Sequence, residues 1–329
     1  MARALAMVSG GLDSILAAKL IKEQGIEVIG ICFRSYFFSE ESAIKMTKQV
    51  DIPLVVVDFS PEHLDLVKNP KHGRGKNMNP CIDCHAMMMN YAGKLLEEYN
   101  ADFIITGEVL NQRPMSQNRQ ALNIVKKESG FANKILRPLC AKNIEPTEME
   151  LNGLVDREQL LGISGRSRKP QMELAEKWGI TEYPSPAGGC KLTEPNYALR
   201  LKDLLDFKEE VEENELSLLR YGRHFRTEDN NKIIVARTKE ESENIKKYVN
   251  SEYYSFHTTD FSGALVLLEN KGTERDIELA ARISGRYSKG REEKVLKVKY
   301  GQYGTKLENV IEVSPINDEE LDKYMISVR

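Results

Sequence analysis

Two groups of residues in this chain have the types and spacing to do chemistry. The first is Ser9-Gly10-Gly11-Leu12-Asp13-Ser14, set between an apolar run at residues 4–8 and apolar residues at helical spacing, Leu12, Ile15, Leu16 and Leu20. The pattern predicts a buried strand, a tight glycine turn and a helix whose N-terminus faces the end of the strand. Backbone N–H groups in such a turn, with the positive end of the helix dipole behind them, attract an anion. Gly10 and Gly11 let a phosphate approach the backbone without a Cβ in the way, and Ser9 and Ser14 add hydroxyl donors. Asp13 would repel a lone phosphate but suits one that brings Mg²⁺ with it, so these residues by themselves call for a polyphosphate plus a metal ion. No Gly-Lys-Ser/Thr closes the loop, which sets it apart from the Walker A type.

The second group is cysteines. Cys81-Ile82-Asp83-Cys84-His85 follows a stretch rich in Gly, Pro and basic residues (69–80) and precedes a helix expected from about Met87 to Tyr99. A Cys-x-x-Cys at a loop-to-helix junction reads as half of a zinc site, a redox dithiol or two ligands of an iron–sulfur cluster. The chain has no second Cys-x-x-Cys and no His-x-x-x-His to complete a zinc knuckle. Cys190 sits among Pro184, Pro186, Gly188 and Gly189, a backbone fixed so as to bring that thiol close to something. Cys32 ends an expected second strand at 28–33, where an adenine would rest and where a small buried hydrophobe also fits; Cys140 reads as core.

Those groups need elements to hold them. Runs at 28–33, 54–59 and 103–106 are continuously apolar and separated by helical patterns, as in a parallel sheet covered on both faces. The expected class is α/β, a doubly wound parallel sheet with ligands at the carboxyl ends of its strands, followed by a smaller α+β domain. Gly107, Glu108 and Gln112 fall at such a strand end and suit the rim of a nucleotide cleft. The acidic stretch Lys208–Glu215 marks a boundary, giving residues 1–207, a linker at 208–217 and a second domain at 218–329. With 329 residues, 41% of them hydrophobic, the chain has material for two real cores. Five cysteines, an odd number, and no run long enough for a membrane span or signal peptide point to the cytoplasm, with no membrane partner. The net charge of −3 neither demands nor excludes nucleic acid, so local patches decide. Arg166, Arg168 and Lys169 form one such patch. Arg286, Lys289, Arg291 and Lys297, with Tyr287, Tyr300 and Tyr303 interleaved, form another suited to an RNA backbone and unstacked bases.

The string Ser-Gly-Gly-Leu-Asp-Ser after an apolar strand resembles the signature of the PP-loop (adenine nucleotide alpha hydrolase) family, whose members split ATP into AMP and pyrophosphate to adenylate a substrate oxygen. Thr106-Gly107-Glu108, Gln112, Ser116-Gln117 and Leu136-Arg137-Pro138-Leu139 resemble the ATPase domain of tRNA 4-thiouridine synthases, and Asn79-Pro80-Cys81-Ile82-Asp83-Cys84 resembles the Asn-Pro-x-x-x-Cys region of tRNA 2-thiouridylases. The resemblance spans roughly the first 190 residues. It implies that Ser9, Gly10, Gly11, Asp13 and Ser14 hold the pyrophosphate and Mg²⁺ of ATP, with Cys32, Gly107 and Gln112 lining the nucleotide cleft. It also implies a [4Fe–4S] cluster on Cys81, Cys84 and Cys190 with one iron open to sulfide; the alternative is a persulfide on Cys81 or Cys84 that Cys190 resolves. Residues from Tyr221 through the basic tail resemble the RNA-binding domain of the NFACT ribosome-quality-control proteins. The activity implied is ATP-dependent thiolation of a tRNA uridine, drawing on sulfide or a cysteine-desulfurase-derived persulfide. The competing expectations are a PP-loop enzyme adenylating a small metabolite and an RNA-binding protein with a degenerate ATP site.

Overall fold

The computed structural model describes residues 2–185 and 189–328 and divides the chain into two units, Met1–Lys191 and Leu192–Arg329. Pro186, Ala187 and Gly188, part of the expected Cys190 turn, lie outside the described residues.

The first unit alternates strand and helix: β1 (Arg3–Met7), α1 (Leu12–Lys22), β2 (Glu27–Arg34), α2 (Glu41–Gln49), β3 (Leu54–Asp58), α3 (Ser60–Lys68), α4 (Cys81–Lys94), β4 (Phe103–Thr106), α5 (Arg119–Glu128), β5 (Ile135–Leu136), α6 (Glu148–Leu151) and α7 (Lys169–Lys177). All five strands pair in parallel in the order β3-β2-β1-β4-β5. Side chains alternate across the central strand. Ala4 and Ala6 pack with Leu12, Ile15 and Leu16 of α1 and Ala175 of α7, while Leu5 faces Met89 and Ala92 of α4 and Val125 of α5. The expected doubly wound sheet is therefore present. Its edge departs from expectation: β3 is only half covered, and Val56 is exposed, because a terminal strand has a neighbour on one side only. From β1 the chain steps outward through β2 and β3, then returns to β4 on the other side of β1. That reversal opens a crevice beyond the carboxyl ends of β1 and β4, where this architecture places ligands.

The second unit contains α8 (Pro195–Phe207), α9 (Glu213–Leu218), β6 (Arg223–Arg226), β7 (Lys232–Val235), α10 (Lys239–Ile245), β8 (Tyr254–Thr258), β9 (Val266–Leu268), α11 (Glu274–Arg286), β10 (Leu296–Gln302), β11 (Asn309–Val313) and α12 (Asp318–Tyr324). Its six strands are antiparallel in the order β11-β10-β8-β9-β7-β6. One face takes α11 through Ile277, Ala280 and Ile283, which meet Phe225, Phe256 and Val298; Ile234 and Leu267 on the other face meet Leu218 and Ile245. The boundary expected at residue 207 shifts to 191, because α8 is bonded into the second unit. Tyr197 donates to the Leu216 carbonyl, Arg200 to those of Leu219 and Gly222, and Arg226 reaches Asp203. Residues 208–217 are not a free linker either: Lys208 is ion-paired with Glu215 and Glu269, and α9 begins at Glu213.

One buried group in the first unit sets a pH limit on its stability. His63 has no exposed surface, its ring stacks on Phe59 at 4.8 Å, Phe37 and Phe38 flank it, and neither ring nitrogen has a hydrogen-bond partner. Burial lowers its pKa to about 4, from an ordinary 6.5, so the folded chain holds it neutral. The unfolded chain takes up that proton first, so stability is full above about 6.5 and falls as pH drops toward 4. A His63→Phe variant should lose roughly 2–3 kcal/mol less than the wild type between pH 7 and pH 4 in denaturant melts. Parallel losses in both proteins would show that His63 is charged in the fold.

Candidate active site

The loop from Ser9 to Ser14 lies at the mouth of the crevice, and two glycines are there by steric necessity. Gly10 has φ +79°, and a Cβ on it would fall 2.5 Å from the Ser42 side chain and 2.6 Å from the Ala43 nitrogen at the start of α2. Gly107, the first residue beyond β4, presses against α1, where a Cβ would stand 2.5 Å from the Ser14 nitrogen. Gly11 caps α1 with extended backbone and no side-chain hydrogen bond, so a ligand can reach the first-turn N–H groups. The Ser14 hydroxyl donates to the Gly11 carbonyl at 2.8 Å, which stiffens the turn, and Ser9 Oγ accepts a long bond from the Gly11 nitrogen.

Asp13 stands at the first turn of α1. Gln112 Nε2 donates to Asp13 Oδ2 at 2.5 Å, and Gln171 Nε2, on α7, donates to Gln112 Oε1 at 2.7 Å. Asp13 Oδ1 is buried without a hydrogen bond; the Arg168 guanidinium lies 3.8 Å away, beyond hydrogen-bonding reach. An orphaned carboxylate oxygen beside a phosphate-type turn suits a divalent cation, so the residues fit Mg²⁺. Arg168, expected in an RNA patch with Arg166 and Lys169, is thus turned toward the glycine loop, while those two neighbours remain exposed. Gln171 was not expected. Its trace in the sequence is slight, a polar residue one helical turn before the buried Ala175.

The cysteine pair is tied to the same strand end. Cys81 and Cys84 belong to the first turn of α4, which begins six residues before the expected Met87, since Pro80 precedes it at the N-cap. His85 Nδ1 lies 3.0 Å from Glu108 Oε1, and Arg137 Nε donates to Glu108 Oε2 at 2.8 Å. Burial by itself would raise the Glu108 pKa, but the Arg137 charge and the His85 hydrogen bond outweigh it and hold the carboxyl down at about 2. Asp83 binds the loop ahead of α4, accepting from the His72 backbone at 2.9 Å and facing His72 Nδ1 at 2.6 Å. Asn79 donates to Cys81 Sγ at 3.2 Å.

Cys190 comes into this neighbourhood from more than a hundred residues away. The Cys84 thiol is pushed well above its ordinary pKa by burial, then by the Cys190 and Cys81 sulfurs and the Asp83 carboxylate beside it. Lys191 donates its backbone N–H to the Phe37 carbonyl at 3.0 Å, fastening this end of the segment to the loop after β2. Three thiols are the right donor set for an iron–sulfur centre. Among the described residues, no three His, Cys, Asp or Glu side chains stand together at metal-holding spacing. Of the two places open to Cys32, the adenine cleft and the core, the structure gives the core. It is 2% exposed, and burial raises its thiol pKa to about 12. Cys140 is core as expected.

In the second unit the basic residues have local acidic partners. Arg286 meets Asp318 at 2.5 Å, Arg291 meets Glu292 at 3.1 Å and Lys297 meets Glu312 at 3.6 Å, while Lys289 is exposed. The interleaved tyrosines serve packing: Tyr300 stacks on Phe256 at 5.5 Å, Tyr287 packs on Phe225 beneath Arg223, and Tyr303 borders a buried cluster. No helix among the described residues is long and apolar enough to cross a membrane.

The first unit is thus a doubly wound α/β domain with an anion-type glycine loop at its switch point. Residues 1–147 match the family model described as thiamine biosynthesis protein (ThiI), and residues 222–325 match that of the NFACT protein RNA binding domain. The chain resembles PP-loop tRNA thiolation enzymes in its first unit and the NFACT RNA-binding domain in its second. A tRNA-specific 2-thiouridylase MnmA of Listeria monocytogenes is 24% identical over 223 residues, 62% of this chain and 56% of that protein. A "Probable tRNA sulfurtransferase" of Finegoldia magna is 31% identical over 150 residues, 43% of this chain and 36% of that protein. The chain therefore spans about half the length of the curated relatives it matches. A solved 4-thiouridine synthetase–RNA complex with bound ATP aligns over 54% of this chain and 52% of that one, at 19% identity and a TM-score of 0.35.

Replacing Glu108 by Gln strands the buried Arg137 charge and should cost roughly 3 kcal/mol at pH 7. The Glu108 contribution is present above about pH 4.5 and is lost as pH falls toward 2, so the gap between wild type and variant should narrow in that window. Denaturant melts at pH 7 and pH 3 check this; a gap that stays constant would mean that the carboxylate is not the source.

Proposed function

We propose that this chain is an ATP-dependent tRNA uridine thiolation enzyme that adenylates a uridine carbonyl oxygen and replaces AMP by sulfur. The observation that carries the reading is that Cys190 and Cys81 both neighbour Cys84, on a helix whose His85 is bonded to the strand end that touches the glycine loop. The two family matches support it, one to a ThiI segment and one to an RNA-binding domain.

On this reading the loop amides and Ser9, Gly10, Gly11 and Ser14 hold the phosphates of ATP, and Asp13 would hold Mg²⁺, which would supply charge neutralisation there. The uridine oxygen attacks the α-phosphate and pyrophosphate departs, leaving AMP as a leaving group on the base carbon. Donors already fixed around the developing phosphate charge supply much of the rate. Sulfur from the three-cysteine centre then forms the new bond to that carbon as AMP leaves. The finer form of the proposal places a [4Fe–4S] cluster on Cys81, Cys84 and Cys190, which would supply one iron open to sulfide. The alternative carries the sulfur as a persulfide on Cys81 or Cys84 and leaves Cys190 to resolve it. tRNA is the proposed partner of the second unit, and sulfide or a desulfurase-derived persulfide the source of sulfur.

The full chain should release pyrophosphate from Mg²⁺-ATP faster with tRNA than without, and Asp13→Ala should abolish release at unchanged melting temperature. Cys190→Ala should still release pyrophosphate while nucleoside mass spectrometry finds no thiouridine in the tRNA. Release indifferent to tRNA would favour a small-metabolite substrate, and thiolation by Cys190→Ala would overturn the cysteine centre. Anaerobically purified protein that is brown, and bleached by any one of the three Cys→Ala changes, selects the cluster; colourless protein that thiolates selects the persulfide.

A further inference from the structure

We infer that Arg168 contacts the phosphates of the nucleotide, so that the polyphosphate is gripped from the α7 side of the crevice as well as by the glycine loop. The inference rests on the ATP reading of that loop and deepens it. Three buried polar atoms in one connected group have no hydrogen-bond partner: Asp13 Oδ1, Arg168 Nε and Gln171 Oε1. The group is joined by Gln171 to Gln112 at 2.7 Å, Gln112 to Asp13 at 2.5 Å and Arg168 Nη2 to Asp13 at 3.8 Å. Gln171 has no exposed surface. Each buried polar atom left unpaired costs about 1–3 kcal/mol, and three of them joined in one group at the crevice call for something bound there to complete them.

The chemistry of the orphans selects the ligand. One is a guanidinium N–H, a donor that suits phosphate oxygen; another is a carboxylate oxygen, which suits a cation. A polyphosphate that brings its own divalent metal satisfies both, whereas an RNA phosphate lying outside the crevice satisfies neither. The separation of 3.8 Å makes the Arg168–Asp13 contact a loose ion pair, so the guanidinium can take phosphate without first breaking a hydrogen bond. Arg166 and Lys169 are exposed and outside this group, so the basic run 166–169 divides by function at Arg168. Gln171 acts one step back as a positioning residue. Holding Gln112 Oε1 turns the Gln112 amide nitrogen toward Asp13 Oδ2, which leaves Asp13 Oδ1 without a hydrogen bond.

Titration calorimetry of the full chain with Mg²⁺-ATP and, separately, with AMP tests this. AMP shares the base, sugar and α-phosphate but lacks the β- and γ-phosphates. Arg168→Ala should weaken ATP about ten- to a hundredfold and AMP far less, with part of the loss recovered by Arg168→Lys. Met172→Ala, on the exposed side of α7, should leave both affinities unchanged. Equal losses for ATP and AMP would assign Arg168 a structural role and overturn the inference. So would ATP affinity at the wild-type level in Arg168→Ala. Wild-type protein that binds no ATP would instead defeat the underlying nucleotide reading. If Arg168→Ala does not fold, Arg168→Gln keeps the side chain's bulk and a hydrogen-bond donor but removes the charge, and the same comparison holds.

Discussion

A carboxylate enclosed at the end of a central strand has to be matched charge for charge, and Glu108 is matched twice. Arg137 supplies the counter-charge from just beyond β5, and His85 supplies a hydrogen bond from the first turn of α4. Because a buried ion cannot part from its partners cheaply, three separate pieces of chain are held to one point in the first unit. Gly107, the preceding residue, is at the same time pressed on the first turn of α1. The spacing between the glycine loop and the cysteine helix is therefore set by a short chain of rigid contacts: α1 to Gly107, Gly107 to Glu108, Glu108 to His85. On the thiolation reading, a site that activates a carbon at one place and delivers sulfur from another needs that spacing held constant.

The parts of this arrangement that could be read in the sequence are those with local signatures. An apolar strand followed by Ser-Gly-Gly-Leu-Asp-Ser fixes its own geometry within a dozen residues, so β1, the turn and α1 were legible. So was the parallel order of the unit, from the alternation of apolar runs and helical patterns. Partnerships across long separations were not. Nothing near Arg168 in the chain indicates that it faces Asp13 rather than solvent, since the decision depends on how α7 packs against α1. Cys32 was open to two readings. Its place at a strand end suggested a ligand contact, yet the side of the strand it occupies turns it into the core. The start of α4 was missed by a few residues because the sequence ahead of it reads as loop up to Pro80, and the Cys-x-x-Cys itself as the junction between loop and helix.

The second unit teaches a related lesson about charge. A run of basic residues along a chain says nothing of the acids that folding brings opposite them, and here Asp318 comes from α12 and Glu312 from β11 to meet Arg286 and Lys297. On the RNA-binding reading, a phosphate that engages either base replaces an existing carboxylate partner. The gain is then the difference between two ion pairs, so the basic count overstates the affinity, and selectivity falls to whichever nucleic acid shapes best fit the exchange.

The placement of α8 in the second unit has a practical side. Its residues Tyr197, Arg200 and Asp203 find their partners at Leu216, Leu219, Gly222 and Arg226, all later in the chain. A chain ended at residue 207 would carry a helix with an unclothed apolar flank and a guanidinium bereft of its acceptors, a recipe for aggregation in a recombinant fragment. One ended at 191 would keep every cysteine of the first unit and shed that helix. For anyone dissecting this protein by halves, the cut belongs directly behind Lys191.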